Sequence, residues 1–467
     1  MLAETFFRGR RRLLGALLLL MAAPACSHLD EAFRGADARR PNVVLIVLDT
    51  VRADHLGCYG YERPTSPNID AFARTATRHT RALSSAPWTV PSHASMFTGK
   101  PPFMHGAHTV AVKRRRNNVM PLHRNHVTLA EALSAEGYET AAFVGNVAYL
   151  ARVWRLDQGF ATYHVERTYA DGLNEHVFDW LERAERPFFL FVNYIDAHRP
   201  YNARPRAGFL DPPATEDDGA LVRKLKRQVL PAKRPVPLDL ARRVIDQYDT
   251  AIANVDEAVG ALLDRLERLG FDDNAVIVIT SDHGEYFGEH RLVEHSKDIY
   301  QEALRVPLLV RTPGQREGRT ADTLAVSNDV PHLIVSNLSE ETREQLAPRF
   351  PDAPGNHTVL AENYYTRSDD LFHPAWGRRF DRVRRAVFDW PYKLIHSSDS
   401  NHELYDLEAD PRERRNLYSE RPEVVERLAI ALHELLTTKP DPVPASELDL
   451  LDDDLRRQLE ALGYLGS

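Results

Sequence analysis

Five short runs in this chain are almost wholly apolar: Val43–Leu48, Thr140–Val144, Phe188–Asn193, Ala275–Thr280 and Val306–Val310. A strand with one wet face alternates polar and apolar residues, so an unbroken run reads as a strand covered on both faces. Between these runs lie helical patterns, among them Leu129–Glu136, halted by Gly137, and the long segment Val244–Leu269. Strands alternating with helices predict an α/β fold, with a large, mostly parallel sheet flanked by helices. The 467 residues suffice for one large domain and a smaller one.

The texture changes along the chain. Arg8, Arg10, Arg11 and Arg12 precede the apolar run Leu13–Ala23, and Ala25-Cys26-Ser27 follows. A basic start, a short apolar stretch and small residues at its exit read as an export signal over residues 1–26. The run falls short of the ~20 residues needed to span a bilayer. Cys26 after Ala23-Pro24-Ala25 resembles the lipidation box of bacterial lipoproteins, with a plain cleaved signal and an incidental cysteine as the simpler alternative. The expectation is an exported protein of the periplasm or cell envelope, held to the membrane only by lipid at Cys26. A polar linker follows over 27–40, a catalytic domain is expected over 41–350, a smaller C-terminal α+β subdomain over 351–440, and a tail over 441–467. Residues 200–240, rich in Pro, Arg and Lys, read as a lid-like excursion, and a helix is expected near Pro422–Leu436. With only Cys26 and Cys58, neither a disulfide framework nor a zinc–thiolate site is available. A formal charge of -8 argues against a nucleic-acid binder and leaves small anionic substrates open.

Polar residues stand just past four of the apolar runs: Asp49, then Asn146, then Asp196 and His198, then Asp282 and His283. Open parallel sheets bind ligands at the carboxyl ends of their strands. Any one of these residues is explained by the ordinary polarity of loops. Four together read as one site.

The segment Ala86-Pro87-Trp88-Thr89-Val90-Pro91-Ser92-His93-Ala94-Ser95-Met96-Phe97-Thr98-Gly99 has proline and serine just ahead of a small-residue run, which are helix-start signals. A hydroxyl at Thr89 would sit by unpaired backbone N–H groups and the positive end of the helix dipole, where phosphate or sulfate binds. Thr89 then serves either as a cap or as a nucleophile. Carboxylate and imidazole in Asp49-Thr50 and in Thr280-Ser281-Asp282-His283-Gly284-Glu285 are suitable ligands for a catalytic cation, with Gly284 permitting a tight turn behind them.

PNVVLIVLDTVRADHLGCYGY (41–61), APWTVPSHASMFTG (86–99), NYIDAHRPY (193–201), TSDHGEYFGEH (280–290), YQEALRVPLLVR (300–311) and ELYDLEADPRERRNL (403–417) together resemble the sulfatase family of the alkaline-phosphatase-like enzymes. The resemblance runs, motif after motif and in order, over nearly all of 41–467, and LEALGYLG (459–466) is like the family's frequent tail. It implies one divalent cation held by Asp49, Asp282, His283 and the nucleophile, which falls on Thr89. Calcium is the usual ion of such sites, and zinc or manganese that of threonine-using relatives. It implies further that His198 and His295 act at the ester or leaving group and that Lys297 contacts the substrate.

The chain departs from the family's pattern where sulfate is handled. Threonine replaces the cysteine that sulfatases convert to formylglycine, His93 replaces the arginine of Cys-x-Pro-x-Arg, Thr50 replaces a second aspartate, and Gly145-Asn146-Val147-Ala148 replaces Gly-Lys-Trp-His. These changes resemble the phosphate-processing relatives, in which threonine attacks directly and an asparagine helps hold the transferred group. His93 and Asn146 thus join the substrate-binding candidates. The resulting expectation is a metal-dependent hydrolase of sulfate or phosphate esters. Its alternatives are a transferase of phospho-headgroups in the cell envelope and a non-catalytic binding protein that keeps the fold.

Overall fold

The computed structural model describes residues 40–112, 116–201, 219–355, 358–364 and 373–437. The expected export segment with Cys26, the linker up to residue 39, residues 202–218 of the lid-like excursion and the tail from 438 lie outside them.

Eight strands form the main sheet: β1 (Asn42–Leu48), β2 (Thr77–His79), β3 (Glu139–Val144), β4 (Thr162–Val165), β5 (Phe188–Tyr194), β6 (Ala275–Thr280), β7 (Leu308–Arg311) and β8 (Arg319–Ala321), in the spatial order β8-β2-β7-β6-β1-β5-β3-β4. The block β6-β1-β5-β3-β4 is parallel throughout. β7 runs antiparallel to both its neighbours, so the fifth apolar run is a strand of opposite direction and starts two residues later than its sequence suggests. The sheet is therefore mixed, with its antiparallel strand lying inside it between β6 and β2.

Every residue of β1 is buried, which explains its unbroken apolar run. Val44, Ile46 and Leu48 pack on one face with Val177, Val255 and Ile277, while Val43, Leu45 and Val47 pack on the other with Ala94, Phe97 and Phe191. Truncating a leucine at such a position to alanine costs about 2–5 kcal/mol. The first face is covered by α3 (Ala170–Leu181) and the 31-residue α4 (Leu238–Arg268), the second by α1 (Thr89–Thr98) and α2 (Leu129–Ala135). Thr128 and Glu131 close a capping box at the start of α2.

A second sheet, β9 (Val359–Tyr364), β10 (Val383–Asp389), β11 (Tyr392–Ser397) and β12 (Glu403–Asp406), is an antiparallel meander. The helix α5 (Pro422–Thr437) lays Val424, Leu428 and Leu432 on Leu360, Val387, Leu394 and Leu404 of this sheet. The opposite face, with Ala361, Ala386 and Ile395, packs on Leu83, Ile299 and Leu304 of the large domain. Among the described residues no helix is long and apolar enough to cross a membrane.

Candidate active site

The carboxyl ends of β1, β3, β5 and β6 converge beside the N-terminus of α1. Asp49 follows β1 directly and is fully buried; its amide donates to Tyr194 O at 2.9 Å. Thr50 then turns the chain with φ 65, a left-handed conformation that costs a β-branched residue about 1–3 kcal/mol. Three contacts hold it there. Its amide donates to Asp282 Oδ1 (3.0 Å), its hydroxyl to Ala197 O (2.7 Å), and its carbonyl accepts from the Tyr248 hydroxyl of α4 (2.7 Å). A position that holds a second aspartate in the family's pattern thus fixes Asp282 through the backbone.

Asp282 and His283 leave β6 fully buried. The Asp282 carbonyl accepts from Ser92 Oγ of α1 at 2.6 Å, which ties the aspartate to the helix. His283 Nδ1 is hydrogen-bonded to Gly284 O at 3.0 Å, so Nε2 is the nitrogen turned to the site. A Cβ at Gly284 would lie 2.0 Å from the Glu302 carbonyl; the glycine is required by close backbone approach rather than by a positive φ. At the first helical position of α1, Thr89 places its Oγ1 3.4 Å from His283 Nε2. Asn146, after β3, donates from Nδ2 to Asp49 Oδ2 at 2.7 Å and accepts at Oδ1 from the amides of Ala148 and Tyr149.

Asp49 Oδ1 and Asp282 Oδ2 are buried without a hydrogen-bond partner. Burial, with Asp282 as the next cause, pushes the Asp49 carboxyl up to about 8, and burial pushes Asp282 up to about 7. Two such buried oxygens are an expensive arrangement unless a cation offsets them. Ligand atoms of Asp49, Asp282 and His283 all lie within 4.8 Å of one another. The separations Asp282 Oδ2–His283 Nε2 and Thr89 Oγ1–His283 Nε2 are both 3.4 Å. That is the edge of a tetrahedron with bonds of about 2.0–2.1 Å, and also of an octahedron with bonds of about 2.4 Å. These residues therefore fit a divalent cation.

The remaining candidates ring this centre at different depths. His93 lies one turn along α1, fully buried against Phe97 and Phe191; its Nδ1 meets Thr89 O at 2.9 Å, and burial holds its pKa down to about 3. It is a neutral imidazole behind Thr89. The ring of His295 is tilted against those of His283 and His198, at centroid distances of 4.5 Å and 5.0 Å. His198 is half-buried with Nδ1 at 2.8 Å from Arg199 O, and lines a cleft of about 590 Å³ together with Asn146, Arg167, Tyr169 and Arg199. Asp196 lines the same cleft but holds the amide of Ala170 at the start of α3. Lys297 is buried, its Nζ bonded to Glu294 Oε2 (3.1 Å) and His295 O (3.3 Å).

Sequence reasoning passed over two residues. Glu285 is fully buried and places both carboxylate oxygens 3.3 Å from His295 Nδ1. Asn193, inside β5, accepts the Asn146 amide at Oδ1 (3.2 Å) and helps hold Asp49 in its charged form. A carboxylate directly after Asp-His-Gly and an asparagine inside an apolar run were the available signals.

The sequence pattern described as "Sulfatase" matches residues 41–338, more than half of the chain. The chain belongs to the sulfatase family. A second pattern, "N-sulphoglucosamine sulphohydrolase, C-terminal", matches residues 288–440. The ulvan-active sulfatase of Formosa agariphila is 26% identical over 86% of this chain and 82% of its own length. Among solved structures, one determined with its substrate D-glucosamine-2-N,6-O-disulfate superposes with a TM-score of 0.62 at 21% identity, over 85% of this chain and 98% of that one. The phosphonate monoester hydrolase of Agrobacterium radiobacter does so with a TM-score of 0.60 at 20% identity, over 85% and 95%. The α/β fold with a small C-terminal sheet domain is thus that of sulfatases.

Proposed function

We propose that this sulfatase-family protein is a divalent-cation-dependent hydrolase of sulfate or phosphate esters in which Thr89 is the nucleophile. The observation that carries the reading is the meeting of the Thr89 hydroxyl, at a helix N-terminus, with His283 Nε2 and two buried carboxylates, each with one oxygen that lacks a donor. Asp49, Asp282, His283 and Thr89 would hold the ion. When bound, it neutralises charge on the transferred group and favours the alkoxide of the nucleophile. The imidazole of His283 suits zinc better than calcium, while the carboxylates also suit manganese.

The chain's own groups supply the rest. The free N–H groups of the first turn of α1 face an anion placed before Thr89. Asn146 steadies Asp49 and reaches the cleft, so the ester group would lie between its amide and Thr89. Thr89 Oγ attacks in line at phosphorus or sulfur, the ester oxygen departs with a proton from His198, and water releases the group from Thr89. His295, aligned by Glu285, stands between His198 and His283 to relay that proton. Kinship with the ulvan-active sulfatase favours sulfate esters. The alcohol at 89 favours phosphoryl transfer, in which positioning and electrostatics suffice. Residues Arg8–Cys26 support export and lipid anchoring, which fails as a reading if Cys26→Ser leaves the protein equally membrane-bound.

The test is turnover of an aryl sulfate, an aryl phosphate and a bis-aryl phosphate by the wild type and by Thr89→Ala. Loss of 10³-fold or more with the preferred substrate is expected, on the order of 4 kcal/mol of barrier. Equal turnover by Thr89→Ala removes the nucleophile assignment, and dependence on an added acceptor alcohol marks a transferase.

A further inference from the structure

On the far side of the 285–302 segment, the chain gathers a second set of ligand atoms. The turn after Gly288 (φ 128) carries His290 at φ 49, with its ring stacked on Tyr300 at a centroid distance of 3.8 Å. His290 Nε2 lies 3.4 Å from Glu302 Oε2. Glu302 is 8% exposed, and its Oε2 is buried without a hydrogen-bond partner. Glu413 arrives from the segment after β12, 2% exposed, with Oε1 accepting from Lys393 Nζ and Oε2 from the Gln301 amide, both at 2.6 Å. All three offer ligand atoms within 4.8 Å of one another, on the wall of a cleft of about 680 Å³.

We propose that His290, Glu302 and Glu413 form a second divalent-cation site, of zinc type, separate from the one at Asp49, Asp282 and His283. Without an ion, His290 and Glu302 form a long ion pair, at 3.4 Å against the 2.7–2.9 Å of a close charge-assisted hydrogen bond. That separation matches the edge, about 3.3 Å, of a tetrahedron of ligands around zinc. Arg305, Arg412 and Arg414 also line this cleft, and two further cations beside the cluster already have partners. Arg52 spends its guanidinium on Asp54, Glu289 and the Glu285 carbonyl, and Lys393 spends its ammonium on Glu413 and Ile299 O. The Glu413 oxygens, each with one donor, keep a lone pair for a metal. One imidazole and two carboxylates leave a fourth position toward the cleft for water. The ion joins the turn after the Asp-His motif, the segment after His295 and Lys297, and the C-terminal unit, so it clamps the loop bearing two candidate site residues.

The experiment uses the full chain, stripped with chelator and equilibrated with Zn²⁺, in a His176→Ala background that disables the exposed His164, Glu166 and His176 group. Bound zinc per chain is read by atomic emission, and the zinc-induced rise in Tm by calorimetry. Two ions are expected. Glu302→Gln and His290→Ala each remove one, and Asp282→Asn removes the other. Glu302→Gln preserves size and hydrogen-bonding capacity, and its circular dichroism establishes that it folds. Zinc content unchanged in both Glu302→Gln and His290→Ala overturns the proposal, as does a wild type whose only zinc is lost with Asp282→Asn. Loss confined to the Glu302 and His290 variants upholds this site while refuting the first.

Discussion

Replacing Asp49 by asparagine should stabilise the ion-free protein while abolishing its activity. Burial first, and the neighbouring Asp282 second, raise the Asp49 carboxyl from 3.8 to about 8. An acid whose folded pKa lies above its unfolded value binds more protons folded than unfolded in the interval between, so stability falls as pH rises across it. At pH 7 the penalty spans about 3 pH units, which at about 1.4 kcal/mol per unit is on the order of 4 kcal/mol. At pH 4.5 it shrinks to about 1 kcal/mol. Over the roughly 370 described residues, 4 kcal/mol corresponds to about 5 °C in Tm. Calorimetry of chelated wild type and Asp49→Asn from pH 4.5 to 8 should show their Tm values diverging upward in pH, with the variant the more stable. Cation at about 1,000 times Kd should close the gap at pH 7, since binding then stabilises the wild type by about 4 kcal/mol. A wild type whose ion-free Tm climbs from pH 5 to 8 relative to the variant would refute the claim that these carboxylates are held against their own charge.

Three further outcomes follow from contacts around the centre. Asn146→Ala removes the amide that holds Asp49 Oδ2 at 2.7 Å and should lower kcat/KM about 10–100-fold, the usual cost of a lost outer contact to a metal ligand, measurable in the ester assay. Glu285→Gln should lower kcat with little change in KM and shift the pH–rate profile, because His295 loses a carboxylate at 3.3 Å while the cleft is untouched; an unchanged profile would deny Glu285 that positioning role. Lys393→Met leaves Glu413 buried with its charge uncompensated and should destabilise by about 3–5 kcal/mol in denaturant titration, with Glu413→Gln added in the same chain recovering part of the loss.

The sequence shows the scaffold more readily than the pairings within it. β1, β3, β5 and β6 are legible because both faces of each are covered, which leaves no alternation to confuse the pattern. The clustering of Asp49, Asn146, Asp282 and His283 is legible because parallel strands put their ends on one edge. The reversal of β7 is not, since an apolar run carries no direction. Nor are the partners of each polar group: Thr50, Glu294 and Ser296 adopt positive φ, at 65, 63 and 66. Nothing in their residue types asks for that conformation, and the turns are imposed by distant contacts. Lys297 illustrates the consequence, because its sequence neighbourhood does not foretell that Nζ meets Glu294 Oε2 at 3.1 Å.

Those distant contacts give the C-terminal sheet a part in the chemistry. The loop 294–300 carries His295 and Lys297 and pays for two left-handed residues at about 1–3 kcal/mol each, so it needs outside support. Arg384 and Arg382 of β10 and its approach hold Asp298 at 2.7 Å, and that carboxyl is kept at about 2 despite its burial. Lys393 of β11 donates to Ile299 O at 2.6 Å, and Asn363 of β9 to Ser296 O at 3.3 Å. Tyr300 donates to Glu403 of β12 at 2.8 Å, so all four strands of the second sheet grip one loop of the first domain. The small domain's buried charges are spent where a packed apolar face alone would fix position but not orientation. Orientation of an imidazole is what the proposed proton transfer near Thr89 would require.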